Sequence, residues 1–291
     1  MSRRLNESSA HFAKRPDRPP RVLFVAAEAV FVPCRKRRLR FVGNTSDIAN
    51  AYLAYLISDL FHSGADVHVL QPGYRRVFAE VQQTDIQGAC SHLPADRVHL
   101  AQDRFFNYIG QPHENGIADN LRLSVTFQRE VINRWIAEIE PDLIHCHDWM
   151  SGLVPAACRL LGIPTLFSIG DLRSVPAPLS LIEEIGIDAA AFWERLYYCR
   201  MPATYEETRS SNSIDPLLSG IWSASFVNTV CASAIRELTA GSGQPALTPL
   251  RRMLRIKHHL ARLVCNSEPD AIHTQHQIEL FEHVLKRPLL Q

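Results

Sequence analysis

The sequence predicts an α/β protein with a doubly wound, mainly parallel sheet, and three observations predict it. Short apolar runs recur as strands buried on both faces, helical stretches separate them, and glycine or proline closes most segments. With 291 residues, 46% of them apolar and 21% charged, the chain can bury a large core.

Residues 1–20 are polar, carry Arg3, Arg4, Lys14, Arg15 and Arg18 against Glu7 and Asp17, and have no apolar centre. They read as a disordered basic leader and not a secretory signal. Order begins at Arg21 with the apolar run Val22-Leu23-Phe24-Val25-Ala26-Ala27, a fully buried strand. A loop crowded with Arg35, Lys36, Arg37, Arg38 and Arg40 follows, read as a solvated surface loop. Gly43-Asn44-Thr45-Ser46-Asp47 then supplies short oxygen-bearing side chains of the kind that cap a helix start. The helix runs through Ile48, Tyr52, Tyr55, Leu56 and Leu60 and stops near Ser63-Gly64. Asp66-Val67-His68-Val69-Leu70 is the second strand, closed by Pro72-Gly73, which completes a βαβ unit and makes the fold Rossmann-like.

The alternation continues with a helix from about Asn120 to Ile139 and the strand Leu143-Ile144-His145-Cys146. A helix from about Leu153 to Leu161 ends at Gly162, before the strand Thr165 to Ile169. Residues 172–213 mix proline, serine and acidic residues and suggest no element. A helix from Leu217 to Ala224 and the strand Phe226 to Val230 follow. Arg251, Arg252, Arg255, Lys257, His258 and His259 lie on one helix and read as its solvated face. Residues 21–270 are expected to form one domain. Ile272, Ile278, Leu280, Phe281, Val284 and Leu285 give residues 271–291 the pattern of one amphipathic helix.

Several function classes drop out. The net charge of +1, from 31 basic and 30 acidic side chains, argues against nucleic acid as a partner. No apolar run reaches membrane-spanning length. The seven cysteines are scattered and never in a C-x-x-C pair, so they read as buried thiols of a reducing cytoplasm. His145, His147 and Asp148 could be drawn as metal ligands, but no further ligand set stands out, so no metal and no cofactor is expected.

Four segments in order resemble the amino-terminal domain of bacterial and plant glycogen/starch synthases. They are Val22 to Glu28; Asp66 to Tyr74; Pro141-Asp142-Leu143-Ile144-His145-Cys146-His147-Asp148-Trp149; and Leu218 to Ile221 with Asn228 to Val230 and Arg236 to Leu238. The resemblance implies a GT-B enzyme of two Rossmann-like domains that moves glucose from ADP-glucose or UDP-glucose to an α-1,4-glucan without an essential metal. This chain would be its amino-terminal half, the acceptor-binding side, without the second domain. Tyr74, His147, Asp148, Trp149 and Asp171 become candidate sugar contacts. For Asp148 the alternative is a helix cap, for Trp149 a core position; Tyr74, in a turn, is expected to be exposed.

Measured against that pattern, the site motifs are altered. The family's K-x-G-G-L loop falls on Asn44-Thr45-Ser46-Asp47-Ile48, where a lysine for the diphosphate is replaced by Asn44 and Asp47 places a carboxylate at a helix start. The family's T-x-H-N histidine, which contacts the donor sugar, falls on Gly170, with Asp171 in the asparagine slot. Glycine offers no side chain for a sugar hydroxyl.

Three readings follow. The first is a non-catalytic relative that binds α-glucan or a protein. The second is the amino-terminal subunit of a split transferase completed by a separate nucleotide-binding domain. The third is a small-molecule Rossmann module, for which a G-x-G-x-x-G fingerprint is lacking.

Overall fold

The structure, a computed structural model, describes residues 18–34, 38–41, 48–76, 78, 90–91, 93–170, 172, 174–229, 248–259 and 263–265. The leader up to residue 17, the Asn44–Asp47 loop, Asp171 and the helix expected at 271–291 lie outside them.

The chain runs β1 (Arg21–Val25), β2 (Phe31–Cys34), β3 (Arg38–Phe41), α1 (Ile48–His62), β4 (Asp66–Pro72), β5 (Cys90–Ser91) and β6 (Val98–Ala101). Helix α2 (Ile117–Glu130) continues through a π-helical stretch, Val131–Trp135, into a last turn ending at Ile139. Then come β7 (Leu143–His147), α3 (Val154–Leu161), β8 (Thr165–Ile169), β9 (Ala177–Pro178) and α4 (Leu179–Ile185). The remainder is α5 (Tyr205–Thr208), β10 (Ser213–Ile214), α6 (Pro216–Ser223), β11 (Phe226–Thr229), α7 (Thr248–His259) and β12 (Leu263–Cys265).

Seven strands form one sheet in the order β12-β11-β8-β7-β1-β4-β6, and each neighbouring pair is parallel. The winding goes outward from β1 to β6, then returns to β7 on the other side of β1. The chain order therefore reverses between β1 and β7, the point at which a sheet of this kind usually has its ligand crevice, beyond the carboxyl ends of the strands.

Alternation along β1 shows why the run must be apolar throughout. Val22 and Phe24 pack with Leu53, Leu56, Ile57 and Leu60 of α1 on one face. Leu23 and Val25 pack with Leu123 and Phe127 of α2 on the other. Burial of side chains this size contributes about 1.5–3 kcal/mol each. A third apolar cluster joins α3 to α4, Phe192, Tyr205 and Ile214, so residues 172–213 have a core of their own. Gly152 makes the junction of α3 and α6 possible: a Cβ there would stand 1.9 Å from the Pro216 carbonyl oxygen.

Two expectations are corrected, and one strand was not expected. Arg38 and Arg40, expected in an open loop, lie on β3, which pairs antiparallel with β2, Phe31 opposite Phe41 and Cys34 opposite Arg38; Arg35, Lys36 and Arg37 lie outside the described residues. Strand β6, for which the sequence suggested no element, carries no apolar run, and Val98, His99 and Leu100 are only partly buried. On α7, Arg252, Arg255, His258 and His259 are exposed, but Lys257 is buried, and its ammonium donates to the carbonyls of Trp222 (3.2 Å) and Ala224 (2.6 Å). It thereby satisfies acceptors at the end of α6 that would otherwise lack partners.

Candidate functional site

The crevice is built from the carboxyl ends of β1, β7 and β8, which lie side by side with Val25 opposite Cys146 and His147 opposite Ser168. Buried polar side chains hold the loop after β1. Gln71 is wholly buried; its carbonyl accepts from the amides of Val30 (2.9 Å) and Phe31 (3.1 Å), and its own amide donates to the Phe31 carbonyl. Gln111 accepts from the Ala29 amide at 3.3 Å, and the Tyr74 hydroxyl donates to the Ala27 carbonyl. Tyr74 is completely buried, which corrects its expected exposure. Desolvation raises its pKa well above the ordinary value, so it stays a phenol and a donor.

Beyond β7 the chain turns sharply at Asp148, whose φ of 58° and ψ of 176° lie in a region costly for any residue with a side chain. The Asp148 amide donates to the Ser168 carbonyl at 2.9 Å. One carboxylate oxygen accepts from the Gly170 amide at 2.7 Å, and the other lies 3.3 Å from His147 Nδ1. Asp148 thus links the ends of β7 and β8 and does not cap the 3-10 turn Trp149–Ser151 that follows, with which its side chain makes no capping bond. Ser151 donates to the carbonyls of His147 and Asp148, both at 2.9 Å. From α2, Gln128 accepts from the Leu153 amide at 2.6 Å, while its own amide donates to Ser124 and Ser124 donates to the Met150 carbonyl.

Of the sequence candidates, the structure brings together His147, Asp148, Trp149 and Gly170. His147 is nearly buried, Asp148 keeps 24% of its side chain exposed, and Trp149 is partly buried against the core. Asp171 and the four residues Asn44, Thr45, Ser46 and Asp47 fall outside the described residues. His145 does not reach the crevice: it lies in the sheet with Nε2 2.6 Å from the Ser168 hydroxyl, which also accepts from Asn228 at 3.3 Å. Burial, with His147 nearby, pushes the His145 pKa down to about 3, so the ring is neutral and serves as packing. Among the described residues no three His, Cys, Asp or Glu side chains are grouped as metal ligands, and no helix is long and apolar enough to cross a membrane. Sequence reasoning missed Gln71, Gln111, Ser124 and Gln128; the available signal was an amide or hydroxyl interrupting an otherwise apolar face.

Comparisons with known proteins bear on the family and the fold. The family model described as "Starch synthase catalytic domain" matches residues 21–252. Glycogen synthase 2 of Geobacter sulfurreducens is 28% identical over 228 residues, covering 65% of this chain and 44% of that protein. A glycogen synthase of Halalkalibacterium halodurans is 29% identical over 105 residues, 34% of this chain and 20% of its own. Among solved structures, the catalytic domain of starch synthase IV from Arabidopsis thaliana, bound to ADP and acarbose, superposes with a TM-score of 0.55 at 21% identity, covering 86% of this chain and 51% of that one. The chain spans about half or less of the length of these relatives.

Proposed function

The chain belongs to the starch synthase catalytic domain family, and from that premise we propose that it binds an α-glucan in the crevice between β1, β7 and β8 but does not by itself transfer glucose. Residues 21–270 act as one amino-terminal-type domain in this reading. Asp148 accepts hydroxyl groups with its exposed edge, and Trp149 and His147 flank the bound sugar.

The observation that carries the reading is the contact at the end of β8. Where the family places a histidine side chain, this chain has Gly170, and its backbone amide is engaged by Asp148. A glycine cannot stabilise charge developing on a departing nucleotide or bond a donor-sugar hydroxyl through a side chain. The neighbouring carboxylate also disfavours a diphosphate, whereas a neutral polyol carries only hydroxyl donors and acceptors.

The test is a transfer assay with radiolabelled ADP-glucose and glycogen. The purified chain should incorporate no label above a heat-treated control; incorporation that depends on enzyme concentration overturns the proposal. A second reading is an amino-terminal subunit of a split transferase. It predicts that label appears only when a separately produced carboxy-terminal domain is added.

A further inference from the structure

At the opposite end of the sheet, around the starts of β4 and β6, a charged group lies outside the crevice. His68 Nδ1 is 2.8 Å from His99 Nε2. The two rings are nearly parallel, 10° apart in plane with centroids separated by 5.1 Å, so with nitrogens this near they meet edge to edge. The other nitrogen of His68, Nε2, faces the Arg97 guanidinium at 2.7 Å and Asp66 Oδ1 at 3.3 Å. Asp66 is already engaged: it accepts from Arg97 and, at 2.7 Å, from Arg21, with Arg18 3.9 Å away. On the helix side, Trp135 of the π-helical stretch lies 5.1 Å from His99, centroid to centroid, with the Arg134 guanidinium 4.8 Å over the indole. Asp96 and Glu138 are the acidic groups felt by His99, opposed by Arg97.

Chemistry assigns the protons. A guanidinium has only donors, so His68 Nε2 accepts from Arg97 and carries no proton. His68 Nδ1 then holds the proton and donates it to His99 Nε2, which leaves the proton of His99 on Nδ1. Both rings are neutral, and each nitrogen in the relay has one permitted role. We propose that this His68–His99 relay is an acid-released latch that fastens β6, the outermost strand, to β4 and to the end of α2.

The reason is local. A further proton can enter only at His68 Nε2, where it meets Arg97 at 2.7 Å before the more distant Asp66 Oδ1, or at His99 Nε2, where it meets the His68 N–H. Either entry replaces a hydrogen bond with two facing donors. It also adds positive charge beside Arg21 and Arg97, for which Asp66 is the nearest counter-charge. Burial lowers the pKa of His68 to about 4 and shifts that of His99 in the same direction. Release of the strand lets both rings take up protons, so the equilibrium for release steepens by a factor of up to about a hundred per pH unit between the closed and free titrations. The consequence reaches the crevice, because β6 leads into the segment whose Gln111 holds the Ala29 amide.

Hydrogen exchange of the full chain between pH 7.5 and 4.5 tests this, read as protection factors so that the intrinsic pH dependence of exchange cancels. Amides of Val98 to Ala101 should lose protection below about pH 6, near the free histidine pKa, while those of β1, β7 and β8 keep theirs. His99→Gln retains a carbonyl acceptor for His68 but cannot titrate, and should reduce the steepness to about tenfold per unit. Unchanged steepness in that variant, pH-independent protection of β6, or loss of protection in all strands together would overturn the latch. Should His99→Gln fail to fold, ring nitrogen-15 shifts of the unaltered chain decide: the His68 ring is expected to stay neutral to below about pH 5, and its titration near 6.5 would contradict the proposal.

Discussion

Replacing Asp148 in two ways separates what its backbone costs from what its carboxylate contributes. Its φ and ψ of 58° and 176° lie where only glycine is comfortable, a strain of about 1–3 kcal/mol. Against this, the carboxylate accepts from the Gly170 amide at 2.7 Å and lies beside His147, contacts of a charged group that contribute about 1.5–3 kcal/mol. Asp148→Ala keeps the strain and loses the contacts, so it should be less stable by about 1.5–3 kcal/mol. Asp148→Gly loses the same contacts but relieves the strain, less about 0.5–1 kcal/mol for its added freedom in the unfolded chain. It should therefore be nearer the parent than alanine is, although it removes more of the side chain. Urea unfolding monitored by fluorescence measures the order: parent, then glycine, then alanine. Both variants should lose glucan binding alike. Alanine equal to or more stable than glycine would refute the reasoning, since the turn would then carry no relieved strain.

Other outcomes follow from the same structure. Gln71→Leu leaves the Val30 and Phe31 amides buried without an acceptor, and urea unfolding should show a loss of about 1–3 kcal/mol for each amide that finds no water. Gly152→Ala forces a methyl group to within 1.9 Å of the Pro216 carbonyl, so thermal melts should show a loss of at least about 1–3 kcal/mol unless α6 shifts. Acid should destabilise the fold before the carboxylates titrate. His145 and His68 have folded pKa values of about 3 and 4, below the unfolded value of 6.5, so the native state binds fewer protons. Their contribution is complete above pH 6.5 and disappears as pH falls through the folded values, an effect of about 3 kcal/mol for His68 alone at most. Asp66, held below its usual range by Arg21 and Arg97 despite burial, acts in the same direction at lower pH.

Much of the fold was legible because parallel strands buried on both faces must be apolar at every position. The runs at Val22, Leu143 and Thr165 admit no other placement, and Gly64 and Gly162, both at positive φ, mark helix ends as expected. Strand β6 was not legible: V-H-L-A holds a histidine whose partner, His68, is 31 residues away. Nor was the middle stretch, whose core depends on contacts with α3 that local pattern does not encode. The H-C-H-D-W run was legible as the end of a strand, but its bonds were not. Asp148 reaches across to Gly170, 22 residues on, and Tyr74 turns inward to Ala27, 47 residues back, and both contacts arise only once the strands are adjacent. Lys257 looked like surface charge for the same reason, since the carbonyls it satisfies belong to another helix.

The amide of Gly170 offers the most direct test of the account, because it is the backbone group that Asp148 engages at the end of β8. In a nitrogen-15 heteronuclear titration, maltoheptaose should shift the Gly170, Asp148 and Trp149 amides together in a saturable manner, while ADP-glucose leaves them in place. Saturable shifts with ADP-glucose and none with the oligosaccharide would contradict a glucan site at the ends of β7 and β8.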